Sequence, residues 1–262
     1  MPFLVTPEQT LRAARLAGVR PEDLDLAGIA VVTFSKCVVD RLHELATLRD
    51  TMWISAHHHP YAAARVVRRG EYRGVGVTVI VPPMGASPLA CILEDLVASG
   101  AQVVFLVCAA WSLGPPVEFG DLIVPAVSVG LDGTSIHYGN QSGRVQVQPE
   151  VLEALVGAGQ TQDAQVRVGG NSTCEALYRI TPGMVNAFRR QGCICMDNGE
   201  ASTLFAAART LGVPGGVLFQ PYIDLARGWD PSQMDGARYS NACLIQADVA
   251  LDAGAALLRT PR

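Results

Sequence analysis

Two hydrophobic rhythms alternate along the chain. Short continuous apolar runs give way to stretches whose apolar residues recur at helical spacing, the signature of strands and helices exchanging in an α/β protein. Helical spacing covers 7–17, the stretch around 38–48, 87–98, 150–158, 183–190 and 201–211. Leu89, Ile92, Leu93, Leu96 and Val97 share one face of 87–98, and Gly100 stops that helix as a C-terminal capping glycine. Leu244, Ala247, Leu251, Ala255 and Leu258 form the inner stripe of a C-terminal helix. Buried strands are read at 27–34, 101–108, 121–129 and 213–219. Two β-rich runs within 64–81 flank a glycine-containing turn and predict a hairpin. No linker, repeat or low-complexity segment interrupts the pattern, so one domain over 1–262 is expected.

Composition narrows the class. Hydrophobic residues make up 49% of the chain and charged residues 17%, enough apolar material for a substantial core. The net charge of −4 and the lack of a basic stretch argue against a nucleic-acid partner. The opening MPFLVTPEQT lacks the basic and apolar regions of a signal peptide. No uninterrupted apolar run reaches the roughly 18 residues of a membrane span, so a cytoplasmic protein is expected. Seven cysteines, mostly in apolar runs, read as reduced buried thiols. Cys193–Cys195 has no second pair to complete a zinc site. Among His57, His58 and His59, neighbouring side chains of an extended segment point to opposite faces, so no metal site is expected. Lys36 is the sole lysine; a codon bias towards arginine accounts for it, and an amine wanted at a site is the sharper alternative.

Three segments carry the chemistry. The first is PPMGASPLACILEDLVASGA (82–101), a glycine turn leading into a helix. The second is VVFLVCAAWSLGPPVEFGDLIVPAVSVGLDGTSIHYG (103–139). The third is CICMDNGEASTLFAAARTLGVPGGVL (193–218). In order and spacing they resemble the nucleoside phosphorylase family, and within it the uridine phosphorylases. Phe119–Val124 and Asp132–Ser135 match that pattern most closely. The resemblance runs over most of the chain. It implies a single-domain, three-layer αβα nucleoside phosphorylase-like fold with a mixed central β-sheet. It also implies a cleft at the strand ends, no organic cofactor, and a homodimer or a hexamer built from dimers.

Site residues carry over position by position. Glu200 takes the place of the glutamate that holds the ribose hydroxyls; a carboxylate accepts two charge-assisted hydrogen bonds from a cis-diol. Met84, Gly85, Ala109, Ala110, Asn198 and Gly199 line the expected substrate cleft, with Gly199 where the family has methionine. The family's early arginine is retained as Arg41, while its glycine falls near Cys37 and its cross-dimer arginine at His59. The central arginine becomes Leu106 and the threonine Ala109, which removes a charge and several donors from the phosphate side. Lys36, Arg41 and His59 are the candidates to rebuild it. Trp111 replaces a small glycine and fills or walls the ring site, and Tyr178 is a candidate to stack on a ring. The acid that protonates a purine leaving group aligns with Gln220, which cannot donate a proton; Asp224 lies close in sequence and is the substitute candidate.

The sequence therefore implies an enzyme of the N-glycosidic bond with altered chemistry, in which water or phosphate is the nucleophile. A different reaction on the same scaffold, or a non-catalytic ligand-binding protein, are the alternatives, since fold does not fix function.

Overall fold

The computed structural model describes residues 3–26, 28–51, 53, 64–130, 132–230, 232, 234 and 236–259. The helices are α1 (Pro7–Leu16), α2 (Pro21–Leu24), α3 (Lys36–Ala46), α4 (Ala86–Ala98), α5 (Pro149–Thr161), α6 (Pro182–Arg190), α7 (Glu200–Leu211) and α8 (Ala237–Arg259). The strands are β1 (Gly28–Val32), β2 (Arg49–Asp50), β3 (Val66–Tyr72), β4 (Val75–Val81), β5 (Ala101–Ser112), β6 (Leu122–Val129), β7 (Arg144–Gln146), β8 (Val166–Thr173), β9 (Cys193–Asp197) and β10 (Gly215–Asp224).

Among the described residues, ten strands form one mixed sheet in the order β10-β6-β8-β9-β5-β1-β4-β3-β2, with β7 on β6. β10 also pairs with β5, which joins the two ends of the β10-to-β5 path into a ring. β1, β4, β5 and β10 run parallel. Helices α3, α5 and α8 pack together on one side, and α1, α4 and α7 on the other. The three-layer αβα arrangement with a mixed central sheet is thus present. β5 is the spine: Val103 to Val107 have no solvent exposure, as expected of a strand covered on both faces.

Local chemistry sets the element ends. Ser35 caps α3, its hydroxyl accepting from the Val38 amide at 3.4 Å, so the helix begins before the periodic stretch at 38. The hairpin forms as expected: β3 and β4 pair antiparallel from Val66↔Val81 to Tyr72↔Val75. Its turn residues Arg73 and Gly74 both take positive φ, at 49° and 80°, the conformation that matches strand twist in a two-residue turn. β5 and β10 outlast their predicted ends, and those extra residues carry the floor of the site.

Strand β8 is absent from the sequence expectation. Its VRVGGNST run lacks β-type alternation, because close packing and not side-chain propensity decides it. A Cβ at Gly169 would meet Ile194 Cδ1 at 2.7 Å, and one at Gly170 would meet the Gly192 carbonyl oxygen at 3.0 Å. The apolar helix α8 also differs from the simple reading. It is long and apolar enough to cross a membrane by length and composition, yet 56% of its apolar window is buried inside the fold. It is a core helix, and Gln246 on it donates to the Cys108 and Leu218 carbonyls at 2.9 and 2.8 Å. All seven cysteines are free.

The Gly28 position tests the sheet. A Cβ there would sit 2.1 Å from the Gly76 carbonyl oxygen, at a φ of +108°. Gly28→Ala is expected to lose about 3 kcal/mol or more of stability through clash and backbone strain. Urea unfolding reads this as a lower midpoint at constant slope; an unchanged midpoint would refute the close approach of β1 and β4.

Candidate active site

A carboxylate acts most strongly on a ligand in a pocket where bulk water does not screen it. The protein builds one at the carboxyl ends of its central parallel strands, the usual ligand position in open α/β sheets. The cavity holds about 240 Å³. Phe34 and Ser35 follow β1, Met84 follows β4, Cys108 to Trp111 come from β5, and Phe219 and Tyr222 come from β10. Met196, Asp197, Asn198 and Glu200 enter from the junction of β9 with α7, Met234 from the approach to α8 and Tyr239 from its first turn.

The junction is organised around two carboxyl groups. Glu200 is the first residue of α7 and is 4% exposed. Its Oε1 accepts from the Gly85 amide and its Oε2 from the Asn198 amide, both at 3.0 Å. Each oxygen keeps a second lone pair for a ligand hydroxyl. Asp197 is buried too: Oδ1 accepts from Asn171 Nδ2 at 2.9 Å and the Gly199 amide at 3.2 Å, and Oδ2 from the Ala201 amide at 2.6 Å. Burial pushes the Glu200 carboxyl up to about 7, with the neighbouring Asp197 charge adding to it. Burial likewise raises Asp197, against the pull of its hydrogen bonds. The amides at the start of α7 offset part of that cost.

A second layer fixes the junction. Gly199 has a φ of 99°, and a Cβ on it would lie 3.2 Å from atoms of Ala86, Asp132 and Glu175. A larger residue there would have to displace all three. Asp132, in the Asp-Gly-Thr-Ser element, accepts from the Ser135 amide at 2.5 Å and from the Ser202 hydroxyl at 2.5 Å. That clamp ties the second segment to α7, and its donors lower the Asp132 pKa against burial.

Of the sequence-predicted residues, Glu200, Met84, Ala109, Ala110, Trp111 and Asn198 line the cavity. Gly85 and Gly199 serve it indirectly, through the Glu200 hydrogen bond and the turn into α7. Others stand elsewhere. Arg41 does not line the cavity: its guanidinium grips Asp248 with two bonds, at 3.1 and 3.0 Å, and reaches Glu44 at 3.0 Å. Those partners raise its pKa further. Lys36 is solvent-exposed and pairs with Asp40 one helical turn on. Tyr178 is 94% exposed, because the chain closes as a 3-10 turn at Leu177–Arg179 and packs Leu177 inward instead. Gln220 is buried behind the floor, donating to Cys243 Sγ at 2.9 Å. Asp224 turns away to accept from the Ala226 amide at 2.9 Å and to pair with Arg227 at 3.3 Å. His59 lies outside the described residues.

On the phosphate side, Ala109 lines the cavity, while Leu106 is fully buried two residues below Cys108 on the same strand face. Among the described residues, no Lys, Arg or His lines the cavity. No cluster of His, Cys, Asp and Glu suited to a metal ion occurs among them either. Sequence reasoning missed Asp197, Phe34, Ser35, Phe219, Tyr222 and Tyr239. For the first five the available signal was position, at or just beyond a strand end; Tyr239, at the start of a long helix, offered none.

Comparison with known proteins follows the same outline. Residues 28–239 match the family model described as the phosphorylase superfamily. The chain is 26% identical to a uridine phosphorylase of Thermococcus kodakarensis over 68% of its own length and 67% of that protein's. It is also 26% identical to a guanosine phosphorylase of Halorubrum lacusprofundi, over 75% and 78%. Among solved structures, the purine nucleoside phosphorylase of Toxoplasma gondii in complex with immucillin-H superposes with a TM-score of 0.78 at 18% identity, covering 92% of this chain and 94% of that one. That last likeness is one of fold.

The Glu200 carboxyl sets a pH test. Its folded pKa is raised, so its stabilising contribution is complete below the unfolded value near 4.5 and is lost as pH rises through about 7. The stability of Glu200→Gln relative to the native chain is therefore expected to improve from pH 5 to pH 8. Thermal unfolding across that range measures it, and a difference independent of pH would show that Glu200 titrates normally.

Proposed function

Because the chain belongs to the phosphorylase superfamily, we propose that it acts on the N-glycosidic bond of a nucleoside or nucleoside-like ligand, with water in place of phosphate. One observation carries the choice of nucleophile: the cavity presents two buried carboxyl groups and, among the described residues, no cationic side chain. A phosphate dianion there would be desolvated beside like charge, with no counter-charge to offset it. Water carries no such penalty.

In this reading Glu200 accepts from the sugar hydroxyls through its free lone pairs while Gly85 and Asn198 hold it in place. The carboxylates also favour the positive charge that builds on the sugar as the C1′–N bond opens, an electrostatic effect that grows in a dry site. Trp111 and Tyr222, with ring centroids 6.3 Å apart, bound the region left for the heterocycle. The displacement of Gln220 and Asp224 from the cavity favours a second reading, a binding protein without turnover. A homodimer, or a hexamer built from three dimers, belongs to the same proposal, and sedimentation velocity reads it.

The deciding experiment incubates the purified protein with a panel of purine and pyrimidine nucleosides, with and without phosphate, and measures free base. Equal release in both conditions is expected; release that needs phosphate would reject water as nucleophile. Glu200→Ala is expected to weaken nucleoside binding about 10- to 100-fold, the loss of charge-assisted hydrogen bonds. For the native protein, affinity should rise with pH through about 7 as the carboxyl ionises. Calorimetry at pH 6 and pH 8 checks the direction.

A further inference from the structure

The cavity combines features that the loss of phosphate does not explain. Five aromatic side chains line it: Phe34, Trp111, Phe219, Tyr222 and Tyr239. They share it with the buried carboxyl groups of Asp197 and Glu200. Aromatic faces and a carboxylate, without a competing cation, are the recognition chemistry of a positively charged organic group. A second observation concerns the leaving group. Neutral heterocycles leave an N-glycosidic bond with the help of a proton donor. Here the position aligned with that donor is Gln220, with its amide committed to Cys243. Asp224 is committed to Ala226 and Arg227 outside the cavity.

Both observations have one solution. We propose that the substrate is a cationic N-glycoside, in which the ring nitrogen bonded to the sugar belongs to a heterocycle carrying a fixed positive charge, such as a pyridinium. This deepens the glycosidic reading above and rests on it. The step balances without an acid. The C1′–N bond breaks and its electron pair passes to the ring nitrogen, so the heterocycle departs neutral. The oxygen of water bonds to C1′, and the remaining proton goes to solvent. Positive charge moves from ring to sugar on the way, towards the carboxylate placed to hold the sugar hydroxyls. The aromatic side chains hold the charged ring in the ground state, and Glu200 gains in the transition state.

The test uses a pair of ligands of one shape. Nicotinamide riboside carries a pyridinium; its 1,4-dihydro form is neutral and nearly the same size. Binding of each to the full chain is measured by calorimetry at pH 7.5, and release of nicotinamide by chromatography. The pyridinium is expected to bind at least tenfold more tightly than the dihydro form, and to be cleaved without phosphate. Trp111→Leu and Tyr222→Leu should each reduce that preference at least threefold while circular dichroism stays native; two variants guard against one failing to fold. Equal affinity for the two ligands, or preference for the neutral one, overturns the proposal. Cleavage of neutral nucleosides alongside such a result would leave the glycosidic reading standing. Tight binding of the pyridinium with no cleavage of any nucleoside would instead remove the glycosidic reading and keep the charge preference.

Discussion

The structure turns on holding two carboxyl groups out of water at the start of one helix. Asp197 and Glu200 stand three residues apart where β9 passes into α7, and their partners are mostly backbone amides that have no other use there. Burying such groups is costly unless hydrogen bonds replace the lost hydration. The cost explains much of the surrounding design: the positive-φ glycine at 199, the Asp132 clamp on Ser202, and the Asn171 amide behind Asp197. Without that support the carboxyls would neutralise or swing out, and the cleft would lose both its charge and its shape.

That frame was legible in the sequence to an uneven degree. α4 and the C-terminal helix follow from periodicity, because each buries a stripe against the sheet, and the hairpin follows from its two β-rich runs around a turn; α7 was read by the same spacing although Glu200 to Ala208 are all buried. β8 was hidden, since a strand that needs glycines to let Ile194 approach carries no β-type pattern. Within the site, residues inside the three segments were found when the segment itself lines the cavity, as with Trp111 and Asn198. Arg41 was misplaced for a physical reason. A side chain's identity does not reveal its partner, and its partner Asp248 lies 207 residues away. Asp197 was overlooked because a short turn blurred the register around it. Tyr239 was invisible because nothing local marks where a distant helix meets a cleft.

The chain keeps the architecture of its superfamily, and among the described residues the ionisable groups that line the cavity include two carboxyls and no Lys, Arg or His. The aromatic and thioether lining lowers the local polarity, which strengthens whatever charge interaction occurs there. The same lining holds Cys108, whose thiol is kept firmly protonated by burial and the nearby carboxylates. On the proposed reading, substrate charge more than substrate shape is the property this cleft discriminates.

Leu106 shows how little room the spine strand leaves. It lies in register between Val32 of β1 and Val217 of β10, at the centre of the spine strand. An arginine there would put an unpaired guanidinium among branched aliphatics, while Arg41 stitches α3 to α8 through Asp248. A ring-wall residue such as Tyr222 faces the cavity and can change without disturbing that spine, whereas position 106 cannot take a charge without cost to the core.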